Sequence, residues 1–115
     1  MEEDFISEGL SNFISYNYTY SLQMFNKADS IKSNSDIKFY QGMCHMKLGD
    51  YENAIKEFND SNLKGNTSFE LFFNRGLSHL YNGDLVNSKK DLLEALNLGN
   101  ENQKQNVELH LLKIS

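Results

Sequence analysis

The chain has 115 residues, an apolar fraction of 39% and a mean hydropathy of −0.58. This length predicts one domain, and the low hydropathy excludes insertion into a membrane. The formal net charge is −5 and the basic residues are scattered, so the cationic surface that a nucleic-acid backbone requires is missing. Composition therefore favours a small domain whose partners are neither nucleic acids nor lipid interiors.

The first residues, MEEDF, are acidic and lack the basic region of a signal peptide and the Arg-rich pattern of a transit peptide. The chain has a single cysteine, Cys44, which fits a reducing compartment. We therefore expect an intracellular, cytoplasmic protein.

Residues 2–34 form a degenerate copy of the unit that follows them. Tyr16 stands at the inner turn of this copy, where the later units have glycine, while Asn17 keeps the position of a helix cap. We predict a pair of helices with an irregular turn. Seven of its residues have counterparts 33 positions later in the chain: Phe5, Gly9, Tyr18, Ser21, Leu22, Phe25 and Ala28.

Residues 35–68 contain the clearest helix pair. Gly49 ends the first helix, because glycine adopts the left-handed conformation that closes a helix, and Asp50 can cap the second. The small residues Gly42, Ala54 and Ser61 would let a neighbouring helix approach closely. One face of the second helix is formed by residues at helical spacing: Tyr51, Ala54, Phe58 and Ser61.

Residues 69–102 repeat this unit with a period of 34. Glycine, histidine, glycine and aspartate recur as Gly42/Gly76, His45/His79, Gly49/Gly83 and Asp50/Asp84. The residues that match the pattern of the preceding unit are Gly76, Gly83, Asp84, Leu85, Ser88, Leu92 and Ala95.

Arg75 lies 16 residues before Asp91, which places the two on facing helices of one pair. We predict a partly buried, bidentate ion pair between them. Binding of a ligand by Arg75 is the alternative.

Gly99 and Asn100 stop the third pair, and residues 101–115 predict one closing helix. Its apolar residues Val107, Leu111 and Ile114 fall 34 positions after those of the preceding first helix. Repeat arrays need such an end, because the last pair otherwise exposes its apolar face. The plan is seven helices, which suits either a complete protein or a piece of a longer array.

A period of 34 residues in a helix–turn–helix unit resembles the tetratricopeptide repeat family, as does the string FFNRGLSHLYNGDL at residues 72–85. The resemblance implies an all-α fold, an α-solenoid of antiparallel helix pairs in a right-handed superhelix. It would be a single domain over residues 1–115, with three repeats and a closing helix. The family often has proline after the second helix, where this chain has Gly65 and Gly99.

No catalytic motif is present. The glycines are isolated rather than grouped in a phosphate loop, and Cys44 and His45 point about 100° apart on a helix. His45 and His79 lack the spacing of zinc ligands, and we expect them to pack between helices. The sequence therefore predicts a non-enzymatic protein without cofactor or metal.

The resemblance implies a concave groove lined by the first helices of the repeats. We expect about half of the matching residues to be internal core. The groove set is Ile6, Ser7, Leu10, Phe13, Phe39, Tyr40, Met43, Met46, Lys47, Phe73, Asn74, Leu77, Leu80, Tyr81, Val107 and Leu111. The candidates for exposed, peptide-binding residues are Tyr40, Met43, Lys47, Asn74, Leu77 and Tyr81.

These residues predict an adaptor that binds a peptide or an amphipathic helix. The alternative is a structural subunit of a larger assembly, which Leu109 and Leu112 on the closing helix favour. A third possibility, a co-chaperone that binds acidic chaperone tails, is disfavoured because no cation occupies the positions that match its carboxylate clamp. Those positions hold Ile6, Leu10, Tyr40, Glu70 and Asn74.

Overall fold

The computed structural model describes residues 2–114, and the side chains of residues 4–114. Seven α-helices span this part of the chain, and the predicted all-α fold and number of helices are confirmed. They are α1 (Glu2–Ile14), α2 (Tyr18–Ile31), α3 (Ser35–Lys47), α4 (Tyr51–Leu63), α5 (Phe69–Tyr81), α6 (Leu85–Leu98) and α7 (Glu101–Ile114). The predicted extension of the last helix to Ser115 lies outside the described residues. None of the described helices has the length and apolar character needed to cross a membrane.

Residues 2–66 form one compact unit, in which α1 pairs with α2, α3 pairs with α4, and α2 packs on α3. Its core includes the fully buried rings of Phe25 and Phe58. A Cβ atom on Gly42 would lie 2.7 Å from the Phe58 ring. Glycine is therefore required at this position for α3 and α4 to approach, as the sequence predicts.

Residues 67–114 form a second unit, in which α5 pairs with α6 and α7 packs on α6. Leu92, Ala95 and Val107 are fully buried at its centre, and Phe69 and Phe73 pack around them.

Buried serines join the helices of two pairs through their hydroxyl groups. Ser88 Oγ donates to the Gly76 carbonyl at 2.8 Å in the second unit. Ser21 Oγ donates to the Gly9 carbonyl at 2.7 Å in the first. Each bond gives a buried hydroxyl group a partner within an otherwise apolar helix contact. Serine at this position of the repeat therefore links the two helices and, being small, also lets them approach closely.

The turns within the second and third helix pairs use the same two residue types, a glycine followed by an aspartate. Gly49 and Gly83 have φ angles of 81° and 86°, in the left-handed region that favours glycine. The Asp50 carboxylate then accepts from the Asn53 amide at 3.3 Å and so caps α4. Asp84 caps α6 in the same way.

The first turn departs from the sequence-based expectation. Tyr16 adopts the same left-handed conformation, with φ of 65°, although it has a side chain. Asn17 holds the cap position of α2, but its side chain makes no capping hydrogen bond. Its amide instead donates to Asn12 Oδ1 at 3.2 Å. The chain thus keeps the shape of the repeat turn without the two side-chain features that stabilise it elsewhere.

Candidate peptide-binding surfaces

The first unit has an apolar cleft of about 290 Å³, formed by α1, α2 and the start of α3. This volume is at the small end of the range for ligand sites in proteins, so it suits one or two side chains of a partner. We call this feature the α1–α3 cleft. Its lining residues are Ile6, Leu10, Phe25, Asn34, Asp36, Ile37 and Tyr40.

Aromatic packing holds one wall of the α1–α3 cleft in place. Tyr40 stacks on the buried Phe25 ring, with 5.3 Å between ring centroids and 8° between planes. Phe13 contacts the Tyr40 ring edge-on at 6.0 Å. Because these contacts fix the tyrosine ring, the cleft is formed before any ligand arrives.

The polar edge of the cleft lies at the start of α3. Asn34 Oδ1 accepts from the Ile37 amide at 2.8 Å and caps the helix, which leaves Nδ2 as the donor end of the side chain. Asp36 follows in the first turn and is exposed. None of the described residues that line the cleft is a lysine or an arginine.

Three of the six predicted binding residues belong to this unit. Tyr40 and Met43 are half-buried and Lys47 is exposed, so each keeps surface that a partner can contact. Met46, from the wider groove set, is buried and belongs to the core.

The other three predicted residues lie on α5, in the second unit. Asn74 and Leu77 are half-buried, and Tyr81 is 56% exposed. Asn74 Nδ2 donates to the Glu70 carbonyl within the helix at 2.8 Å. Val107, from the wider groove set, is fully buried and belongs to the core of this unit. Within the described side chains, Met46 and Val107 are the buried members of the groove set, and Phe73 and Leu111 are partly buried and pack against the core of the second unit.

The predicted ion pair between Arg75 and Asp91 is confirmed. Arg75 Nε donates to Asp91 Oδ2 at 2.8 Å and Nη2 donates to Oδ1 at 2.9 Å. The guanidinium group also lies over the Phe72 ring, 5.4 Å from its centroid. Both side chains are largely buried, so the pair joins α5 to α6 and this geometry gives Arg75 a structural role.

The histidines and the cysteine are packed among other side chains. His79 Nε2 lies 3.7 Å from Asp91 Oδ2, and burial lowers the pKa of His79. Cys44 is buried with its Sγ 3.4 Å from Ser21 Oγ, and burial raises the pKa of the thiol. The described residues contain no group of three or more histidine, cysteine, aspartate or glutamate side chains that could hold a metal ion.

Sequence reasoning missed four residues that complete the α1–α3 cleft: Phe25, Asn34, Asp36 and Ile37. The sequence contains a local signal, a helix start, for Asn34, Asp36 and Ile37. Asn34 followed by Ser35-Asp36 is typical of a helix start, which places Ile37 and Tyr40 one turn apart on the same face. Phe25 has no such signal, because it reaches the cleft from the second helix of its pair.

The fold and this surface define a class of protein, the helix-pair repeat proteins, in which stacked pairs present their first helices to ligands. The sequence profile of the tetratricopeptide repeat matches residues 38–61. The chain has the tetratricopeptide repeat fold, and this segment is a repeat of that family. No curated protein gives a significant match to the sequence as a whole.

Solved structures similar to this chain include a type III secretion chaperone and two proteins that were solved in complex with segments of other proteins. The type III secretion translocator chaperone SycD of Yersinia enterocolitica aligns with a TM-score of 0.90 and 19% identity over 97% of this chain and 81% of its own. PcrH, a protein of Pseudomonas aeruginosa, solved in complex with the chaperone-binding region of PopD, aligns with a TM-score of 0.87 and 18% identity over 97% and 89%. The first tetratricopeptide domain of Spaghetti, solved bound to the HSP90 peptide SRMEEVD, aligns with a TM-score of 0.85 and 16% identity over 98% and 89%. At these identities the similarity establishes the fold.

Proposed function

We propose that the protein is a non-enzymatic interaction module that binds a peptide or an amphipathic helix of another protein. The observation that carries the proposal is the α1–α3 cleft, a preformed apolar depression formed by α1, α2 and the start of α3. An open apolar cleft gains free energy when a partner side chain removes it from water. In the first unit the half-buried Met43 gives α3 adaptable apolar surface. In the second unit the half-buried Leu77 gives α5 apolar surface of its own.

The structural neighbours support the same kind of activity. PcrH was solved with a segment of PopD, and the Spaghetti domain with a short peptide of HSP90. The two examples show that this fold accommodates different ligands, so the ligand of this chain has to be argued from its own residues.

Those residues favour an apolar ligand over an acidic chaperone tail. Ile6, Leu10 and Tyr40 occupy clamp positions and instead line an apolar cleft. A partner side chain that fills this cleft must itself be apolar, because a carboxylate there would be left without a counter-ion.

The test is affinity capture from the native cell extract, with bound proteins identified by mass spectrometry. Wild type is compared with Met43→Glu/Leu77→Glu, and circular dichroism checks that helicity is retained. We expect the variant to lose a partner selectively. The matched control is Leu63→Glu/Leu93→Glu, which introduces the same charges at exposed positions of the second helices α4 and α6 and should retain that partner.

Recovery of the same partner by all three proteins would place the binding site away from Met43 and Leu77. Lys56, Lys89 and Lys90 on α4 and α6 would then be the next residues to change.

The alternative is a structural subunit of a larger assembly, and one observation favours it. Leu109 and Leu112 on α7 are 61% and 72% exposed, and because they lie about one helical turn apart they leave apolar surface that another chain could cover. In this case the same experiment would recover one large set of subunits from wild type and groove variant alike, and Leu109→Gln/Leu112→Gln would lose that set.

A further inference from the structure

The α1–α3 cleft combines an apolar interior with a negatively charged edge, and this combination selects among apolar ligands. Ile6, Leu10 and Ile37 form an aliphatic surface. Asp36 lies at the polar edge and is exposed. A ligand group beside the bound apolar side chain therefore meets a carboxylate.

Two lysines of the same unit, Lys38 and Lys27, contact other groups. Lys38 Nζ lies 3.1 Å from Asp29 and 3.6 Å from Glu57, on the side of α3 that faces α2 and α4. Lys27 Nζ lies over the Phe5 ring, 5.6 Å from its centroid. With a net charge of −5 on the whole chain, neither the edge nor the surrounding field favours an acidic ligand.

We infer that the α1–α3 cleft binds a segment of a partner protein in which an apolar side chain stands beside a lysine or an arginine. The apolar side chain enters the cleft between Leu10 and Ile37, and the cation pairs with Asp36. Asn34 Nδ2, at the same edge, can donate to a carbonyl of the segment. This inference rests on the proposed function and adds the charge of the ligand to it.

The experiment uses a random peptide library displayed on phage as the probe, selected against the full chain. We expect wild type to enrich peptides that contain an apolar residue next to lysine or arginine. In a synthetic peptide of the enriched sequence, replacing that cation by glutamate should weaken binding by about two- to fivefold, the range that an exposed ion pair supports.

Two substitutions test the role of Asp36 and one serves as the control. Asp36→Asn should remove the preference for basic peptides, and Asp36→Lys should shift it toward acidic ones, while both variants still require the apolar residue. Glu52→Lys is the matched control, because Glu52 is exposed at the second position of α4, as Asp36 is in α3. It makes the same change in net charge and should select the same peptides as wild type.

Selection of apolar peptides without a preference for cations, or an unchanged preference in Asp36→Lys, would overturn the inference and leave the proposed function standing. If no peptide is enriched, or if Leu10→Glu leaves the selection unchanged, the α1–α3 cleft is not a binding site and the proposed function loses its main support. The two failures are therefore distinguishable in one experiment.

Discussion

At the scale of single residues, the contact between Arg75 and Asp91 makes the sharpest prediction about stability. Asp91→Ala leaves a largely buried guanidinium group without its counter-ion, and should lower the free energy of unfolding by about 3–5 kcal/mol. Urea denaturation followed by circular dichroism measures the change. Asp36→Ala removes an exposed carboxylate and should change stability by less than about 0.5 kcal/mol. A loss as small as this in Asp91→Ala would contradict the structural role of the pair.

Replacing Tyr16 by glycine should make the folded protein more stable. Its φ of 65° is unfavourable for a residue with a side chain, and its side chain is 79% exposed, so little packing offsets the strain. Tyr16→Gly should therefore raise the free energy of unfolding by about 1 kcal/mol. The reverse change, Gly49→Ala, at φ of 81°, should lower it by a similar amount. Equal stability of Tyr16→Gly and wild type would indicate that the tyrosine contributes packing that offsets the strain.

His79 predicts a dependence of stability on pH. Burial lowers its pKa in the folded state, while Asp91 and Asp84 act in the opposite direction. The unfolded chain therefore binds a proton at higher pH than the folded chain does. The stability that neutral His79 contributes is present above the unfolded pKa of about 6.5, and is lost as the pH falls through the lower folded value.

Urea midpoints at about pH 8 and about pH 5 measure this effect. His79→Phe keeps the side chain large and removes the titration, so it should lose less stability between the two pH values than wild type. Equal losses in the two proteins would assign the acid sensitivity to other groups.

At the scale of elements, the pairing of α3 with α4 depends on small residues that face each other. Ala54 is fully buried, and the Phe58 ring occupies the space beside Gly42. Ala54→Arg places a long charged side chain in this contact and should unfold the pair, which a fall in helicity and in melting temperature would show. Asp60→Arg, at an exposed position of the same helix, should leave the melting temperature nearly unchanged. An unchanged melting temperature in Ala54→Arg would mean that the face assigned to α4 is wrong.

Most of the helix ends and turns are predictable from the sequence, because they depend on residues that are close together in the chain. Gly49 and Gly83 end helices through their own backbone freedom, and Asp50 and Asp84 cap the next helices three residues further on. The turn at Tyr16 and Asn17 was predicted less well. The packing of α1 on α2 imposes the conformation of this turn, even though its side chains do not favour that conformation.

At the scale of the whole molecule, the chain should discriminate among the ligands that its fold accommodates elsewhere. The peptide SRMEEVD binds the Spaghetti domain. Its acidic end, MEEVD, lacks the arginine and would meet Asp36, and no cation, at the α1–α3 cleft. We expect no measurable binding of MEEVD by fluorescence polarisation at concentrations up to about 1 mM. Saturable binding of MEEVD below that concentration would show that the chain has an anion-binding site away from this cleft.

The sequence by itself determined the number of helices, the way that they pair and the partner of Arg75. A period of 34 residues repeats the local signals for helix start, turn and close approach, and a separation of 16 residues places Arg75 and Asp91 opposite each other. These features depend on neighbours within one helix pair, so the spacing along the chain is sufficient to predict them.

Only the tertiary structure decided which apolar residues remain accessible. Helical spacing assigns Met43 and Met46 to the same general surface, yet Met46 is buried and Met43 is not. Likewise, the α1–α3 cleft depends on Phe25, which reaches Tyr40 from another helix pair, and on Asp36, which the spacing of the repeat does not identify. The depth of a side chain is set by how closely neighbouring helices approach. That approach results from the packing of residues distant in sequence, which a linear pattern does not contain.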